Sequence, residues 1–287
     1  MATTATQPAA LLRRSAPPRR TSRGRALRTL AARRAALTAH NPRQIAVPLL
    51  GPALLALVVA PALKVATGGL HSHIDYTSFV GVGAVGLVVP LSCIFAGLSV
   101  IVDRHSGAQR ELLAAPVPRG LLVLGNLIVA IALSTLQVAV LVGLSAVRGG
   151  QFHVTATGVG WFVAAALLFT VFMYGVAETL ASRVKKQEDY IGAVPAVAIL
   201  PFFLAGALFP IGAMPAALTG VAKALPLTHA LALLRYGFID PSGKGLHDIW
   251  GLSNVTAEAW LSLAVVALFA AALTAFSIRA FTRSAVS

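Results

Sequence analysis

PFFLAGALFPIGAMPAALTGVAKALPLTHALALLR, residues 201–235, is the stretch on which the reading of this chain turns. It begins as an apolar run of membrane type. Pro210, Pro215 and Pro226 then cut it into pieces too short to cross a bilayer, because a spanning helix needs about 20 apolar residues at a rise of about 1.5 Å each. Backbone broken in this way is tolerated at membrane depth only where protein covers it or a wet cavity lies beside it. The stretch therefore predicts a membrane protein with a re-entrant element, which a conduit needs and a simple anchor does not.

Composition places the rest of the chain in the same class. Of 287 residues, 57% are hydrophobic and 11% charged, against roughly 25% charged in soluble domains. The mean hydropathy is +0.82. The net charge of +14 is unevenly spread: ten of the 23 basic residues are arginines within the first 44 positions, where no acid occurs. Most of the others stand between apolar runs. That pattern fits attraction to anionic lipid headgroups and gives no reason to expect nucleic-acid binding. The single cysteine, Cys93, lies inside an apolar run. It excludes an intrachain disulfide and a cysteine-rich metal site, and reads as a small core residue.

Residues 1–22, rich in Ala, Thr, Pro and Arg, are expected to be a disordered basic tail. Residues 23–44 are expected to hold an amphipathic helix on the inner membrane surface, with Leu27, Leu30 and Leu37 on one face and Arg25, Arg28 and Arg33 mostly off it. A six-span domain should fill 45–281, followed by a short cytoplasmic tail at 282–287. The spans are placed at 45–66, 79–102, 121–147, 158–182, 190–212 and 257–281, each long enough to cross with some tilt. The expected fold is thus an all-α polytopic membrane protein with a re-entrant helical hairpin between spans five and six. Trp161, Tyr190 and Trp260 stand at span ends, where aromatic anchors collect.

Six spans put both termini on one side. With the N-terminus inside, the inner segments and Arg279 carry 18 of the 23 basic residues, and without the tail the ratio is still 8 to 5. The positive-inside rule then favours an N-in, C-in orientation. Outer region 213–256 opens with two apolar pieces joined at Pro226, which is what a hairpin dipping back from the outer face would show. No internal repeat is evident, so the inverted-repeat pattern of many secondary transporters is missing.

Few residues offer chemistry. The chain contains no G-x-x-x-x-G-K-[ST] phosphate loop, no H-E-x-x-H zinc pair and no G-x-S-x-G nucleophile elbow. His71 and His73 flank Ser72 in an expected outer loop, too few ligands for a metal site. Glu178 is the one acid well inside a predicted span. Burying its charge costs about 2.5–3.5 kcal/mol even on insertion scales, so it is either functional or paired with a nearby base such as Arg183, or near enough to the inner end to reach headgroups.

Two motifs carry a resemblance. The first runs Asp103-Arg104, Gly107, Arg110-Glu111-Leu112-Leu113, Pro116-Val117 and Arg119, then Leu124-Gly125-Asn126. It resembles the first inner loop of type 2 ABC exporter permeases, with Ala108 where that family often has threonine. The second runs Phe202-Phe203-Leu204, Gly206, Leu208-Phe209-Pro210, Met214-Pro215, then Leu225-Pro226-Leu227-Thr228-His229 and Arg235. It resembles the fifth span and outer hairpin of that family, in particular its daunorubicin-resistance and nodulation-export permeases. The resemblance covers about residues 25–281 and leaves the Arg/Pro-rich tail without a counterpart.

What the resemblance implies is a half-transporter without catalytic, metal or cofactor sites of its own. Two six-span permeases would pair, as a homodimer or with a related chain, and ABC ATPase subunits carrying ATP and Mg would dock beneath. Residues 25–40 and Arg104, Arg110, Glu111, Pro116 and Arg119 would form the contact. Phe202, Phe203 and Phe209, with Pro210, Pro226, His229 and Arg235, would form an outer gate. The expected activity is ATP-driven export of a hydrophobic or amphipathic compound, drug-like or lipid-like, across a bacterial plasma membrane. An ion- or proton-coupled secondary transporter and a non-transporting membrane scaffold stay open as alternatives.

Overall fold

The computed structural model describes residues 22–66, 75–115 and 117–284, and all regular structure in them is helical. The tail up to residue 21, His71, His73, Pro116 and residues 285–287 lie outside the described residues. α1 (Arg23–Ala39) starts at Ser22, whose hydroxyl accepts the Arg25 N–H. The first long apolar segment joins α2 (Arg43–Leu54), a π-helical turn (Leu55–Val59) and α3 (Ala60–Ala66). The second joins α4 (Tyr76–Gly83) and α5 (Val85–His105) through a turn at Ala84. After the short α6 (Ala108–Ala114) come the long α7 (Gly120–Val147) and α8 (Ala156–Arg183). Then follow α9 (Gln187–Gly192), a second π turn (Pro195–Ile199), α10 (Leu200–Leu204) and a 3-10 turn (Ile211–Ala213). The chain closes with α11 (Ala216–Ala224), α12 (Pro226–Phe238), α13 (Lys244–Trp250) and α14 (Val255–Ser284).

Among the described residues, five helices are long and apolar enough to cross a membrane: Arg43–Val65, Tyr76–His105, Gly120–Val147, Ala156–Arg183 and Val255–Phe281. A sixth is reached if α11 and α12, bent by 85° at their junction, count as one. The protein is therefore an all-helical, multi-pass integral membrane protein.

The expected fifth span at 190–212 is not one helix. It begins earlier, at Gln187, breaks at Ala193, widens into the π turn and stops at Leu204. Proline is the cause. The Leu200 N–H reaches back five residues to the Pro195 carbonyl, and Pro201 follows directly. A proline ring clashes with the carbonyl four residues before it and supplies no N–H, and a widened turn relieves both problems. The first span repeats the device: the Ala60 N–H bonds the Leu55 carbonyl, and Pro61 follows. Past α10, Gly206 takes a φ of +76°, the left-handed conformation that ends helices and that side chains with a Cβ resist.

α8 lies at the centre, packed on α5, α12 and α14. Its contact with α14 is close because of Gly175: a Cβ there would lie 2.9 Å from the Leu273 Cβ. Phe169, Tyr174 and Tyr190 are buried in the core, and the Tyr190 hydroxyl donates to the Ile94 carbonyl at 3.0 Å. Large apolar side chains such as Leu50, Leu54, Val58, Trp260 and Leu268 face outward, as lipid-facing surfaces do. α1 lies against α7. Its apolar stripe differs from the expected one: Leu27 and Leu30 are half-buried, Leu37 is exposed, and the residue buried on that face is Arg34.

Candidate functional site

The bundle has two polar ends. One carries α1, the 103–119 loop and the 184–186 turn; the other carries the α10–α12 break and the turns around α13.

At the loop end, Arg104 is spent on structure. Its Nη1 and Nη2 donate to the carbonyls of Val184 (3.2 Å) and Ala181 (2.8 Å), capping α8. His105 Nε2 lies 3.0 Å from the Lys185 carbonyl, so the two loops are tied together. Arg110 and Glu111 stand on α6 with their side chains exposed, while Leu112 and Leu113 beside them pack against the core. Arg119 is half-buried at the start of α7. The structure thus gathers Arg104, Arg110, Glu111 and Arg119 on one anchored loop, with only Arg110 and Glu111 offered to solvent.

The residue that organises this end is one the sequence reading missed. Arg34 donates Nε–H to Asn126 Oδ1 (2.8 Å), Nη1–H to Ser99 Oγ (2.8 Å) and Nη2–H to Asp103 Oδ2. Arg33 adds a second contact to Asp103 at 3.6 Å. One guanidinium therefore fastens α1 to α5 and α7. A signal was present: Arg34 falls four residues after Leu30 and seven after Leu27, on the apolar face, where a cation needs partners.

Glu178 is fully buried, 1% exposed, and reaches neither headgroups nor Arg183. Its Oε2 accepts from the Tyr174 hydroxyl at 2.9 Å, one helical turn earlier. Arg183 instead sits over the Phe276 ring, 5.1 Å from its centroid.

At the other end, Arg235 is the keystone. It is buried on α12 and carries no carboxylate partner among the described residues. Nη1 donates to Gly206 O (2.9 Å), and Nη2 donates to Ala207 O (2.8 Å) and Phe79 O (3.4 Å). The guanidinium stacks on the Phe79 ring, 3.5 Å from its centroid. Arg235 thus satisfies the carbonyls freed where the broken span ends and joins α12 to α4 there. His229 fastens the same helix on its other side. Its Nε2–H faces the Lys223 carbonyl (3.0 Å) and its Nδ1 accepts from Ser262 Oγ (3.2 Å), which in turn accepts from Trp250 Nε1–H (2.8 Å). Pro226 opens α12 at its first turn, a position where a missing N–H costs nothing.

The three phenylalanines part company. Phe202 is buried in the core, Phe203 is 55% exposed, and Phe209 stands on the wall of a cavity of about 330 Å³. Pro210 and Arg235 line that cavity too. Of the expected gate residues, the structure brings together Phe209, Pro210 and Arg235 on the cavity wall, and leaves Phe202, Phe203, Pro226 and His229 off it.

Five to six spans, a broken apolar segment held by a buried arginine and a charged loop tied to the bundle define a polytopic membrane permease. The chain belongs to the ABC-2 type transporter family, whose profile it matches over residues 25–239. It is similar to the inner membrane transport permease YadH of Escherichia coli strain K12, 25% identical over 189 residues, which are 63% of this chain and 68% of that protein. The YadH permeases of Escherichia coli O157:H7 and Shigella flexneri match to the same extent.

Proposed function

We propose that this chain is the membrane half of an ATP-driven exporter for hydrophobic or amphipathic compounds in a bacterial inner membrane, oriented N-in and C-in. The observation that carries this reading is the loop end. Arg110 and Glu111 are exposed on a short helix whose flanks are fixed by Leu112 and Leu113, by Arg104 of α5 bonded to the end of α8, and by Arg34 of α1 bonded to Asp103. A surface that is charged, exposed and mechanically anchored can receive a push and pass it on. Family membership supports a separate ABC ATPase, carrying ATP and Mg, as the source of that push. Two such permeases pair, each bounded by lipid, and ATP binding beneath brings their 103–119 loops together.

The far end serves as the outer gate. α11 and α12, bent by 85° at their junction, serve as the re-entrant hairpin. Release of cargo there requires α12 to part from Gly206 and Ala207, the carbonyls that Arg235 now holds.

The test is purification of the chain from cells that also express an ATPase encoded beside it. Co-elution and reconstituted vesicles that export an amphipathic dye only with ATP are expected. Export that instead stops on collapse of a proton gradient, without ATP dependence, would establish a secondary transporter. A chain that neither exports nor stimulates an ATPase would be a scaffold.

A further inference from the structure

The cavity at the hairpin end is bounded by α4, the 3-10 turn, α12 and α13. At about 330 Å³ it falls within the span of small-ligand sites, roughly 300–1,000 Å³. Its body is apolar and aromatic. The Tyr76 and Phe79 rings are 5.8 Å apart and tilted, and Phe209, 48% exposed, completes the wall.

The polar groups of the wall differ in how much bonding capacity they have left. The Tyr76 hydroxyl donates to Leu208 O at 2.6 Å. Both terminal nitrogens of Arg235 are engaged on carbonyls. Asp240 accepts from the Ser242 hydroxyl and N–H and from the Lys244 N–H (2.9 Å). Two buried atoms of the wall, Arg235 Nε and Thr228 Oγ1, have no partner among the described residues, and of its two carboxylates Asp248 is the one left open. It is half-buried and its carboxyl atoms pack 3.4–3.5 Å from where a Gly212 Cβ would stand. It makes no hydrogen bond or ion pair among the described residues. Lys244 is exposed, where water screens its charge.

We propose that this cavity binds an amine-bearing amphiphile, with the ammonium on the Asp248 carboxylate and a ring-sized apolar body against Tyr76, Phe79 and Phe209. Asp240 adds a second negative charge to the wall. Arg235 does not make the site an anion receptor, because both terminal nitrogens are held on backbone carbonyls, its unpaired Nε is buried, and its guanidinium lies against Phe79. The site concerns binding alone and stands whether or not an ATPase drives the chain.

Three probes sharing one body separate the terms: 2-naphthylmethylamine, 2-naphthylmethanol and 2-naphthoate. Each is measured by equilibrium dialysis at neutral pH against the full chain in nanodiscs of zwitterionic lipid, with empty nanodiscs subtracted. The amine is expected to bind about tenfold more tightly than the alcohol, as a charge-assisted hydrogen bond gives, and the carboxylate most weakly. Asp248→Asn, nearly isosteric, should bring the amine to the affinity of the alcohol. Ala213→Trp, at an exposed lining position, should weaken all three. An amine preference that survives Asp248→Asn overturns the assignment, and so does tightest binding of the carboxylate. Binding unchanged by Ala213→Trp, or no binding of any probe, overturns it as well.

Discussion

Arg34 shows how much one side chain can decide in a chain with nine acids. Its side chain is 8% exposed and that of Asp103 is 15%, so neither charge is solvated freely, and each depends on the other. Removing one partner of such a pair is far more costly than never having had it. Arg34→Met should therefore destabilise the protein by about 3 kcal/mol, read as a lowered denaturation midpoint in detergent. Arg34→Lys should recover only part, because one ammonium cannot reproduce a planar fork that serves Asn126, Ser99 and Asp103 together. Full recovery by lysine would mean that charge alone matters at this site. At the opposite end Asp75 does smaller work, capping α4 through Ser78 N (3.1 Å) and pairing with Lys64 (2.7 Å). Burial pushes its pKa up, but the bonds from Lys64 and Ser78 outweigh that and hold the carboxyl below its ordinary value. A carboxylate whose folded pKa is depressed stabilises fully above its unfolded pKa, and that stability is lost as pH falls through the lower folded value. Asp75→Asn should flatten this acid-side loss below about pH 4. Its effect at neutral pH should stay under about 1 kcal/mol, since Lys64 is half-exposed and asparagine still caps. Thermal unfolding followed at neutral and acid pH checks both.

Elements differ in how far local sequence determines them. The prolines that break residues 201–235 act within a few residues of themselves, so the break was legible. What the prolines do inside a span was less so, because Pro61 and Pro201 do not stop their helices but widen the turn before them. The fifth span was accordingly drawn too long at its far end. Helix-to-helix approach was not legible at all, since it depends on which residues face each other across the bundle. Gly175 is the clearest case: α14 passes so close that a Cβ would meet Leu273 at 2.9 Å, with α14 backbone atoms 3.1–3.2 Å away. Backbone cannot yield as a side-chain tip can. Gly175→Val should force α8 and α14 apart and lower stability by about 1–3 kcal/mol, whereas Gly160→Val, with open space around it, should change little. Equal effects of the two substitutions on the denaturation midpoint would show that helix propensity, and not this contact, decides.

At the scale of the molecule, α8 connects the two candidate sites. Its C-terminus accepts Arg104 from the 103–119 loop, and near its N-terminus Gly158 lies directly against Gly237 of α12. A displacement of the loop therefore has a stiff path to the helix that holds the broken span through Arg235. The cavity at that end could not be read from sequence, because its wall is assembled from parts of residues 76–79, 205–213 and 228–248, brought together only by folding. The charges of the loop all fall within residues 103–119, so they could be picked out together in one dimension. Their split between anchoring and exposed residues was not legible, since Arg104 and Arg110 look alike there. That split yields the decisive mechanical experiment. Arg110→Glu combined with Glu111→Arg keeps net charge and removes no side-chain hydrogen bond or ion pair among the described residues. It should leave folding and midpoint unchanged, while ATP hydrolysis by the paired ATPase no longer drives export, measured as the ratio of transported dye to phosphate released. Arg104→Gln should instead lower the midpoint, because it uncaps α8. Normal coupling in the double variant would remove α6 from the docking surface and leave Arg119 and α1 as the places where the push must enter.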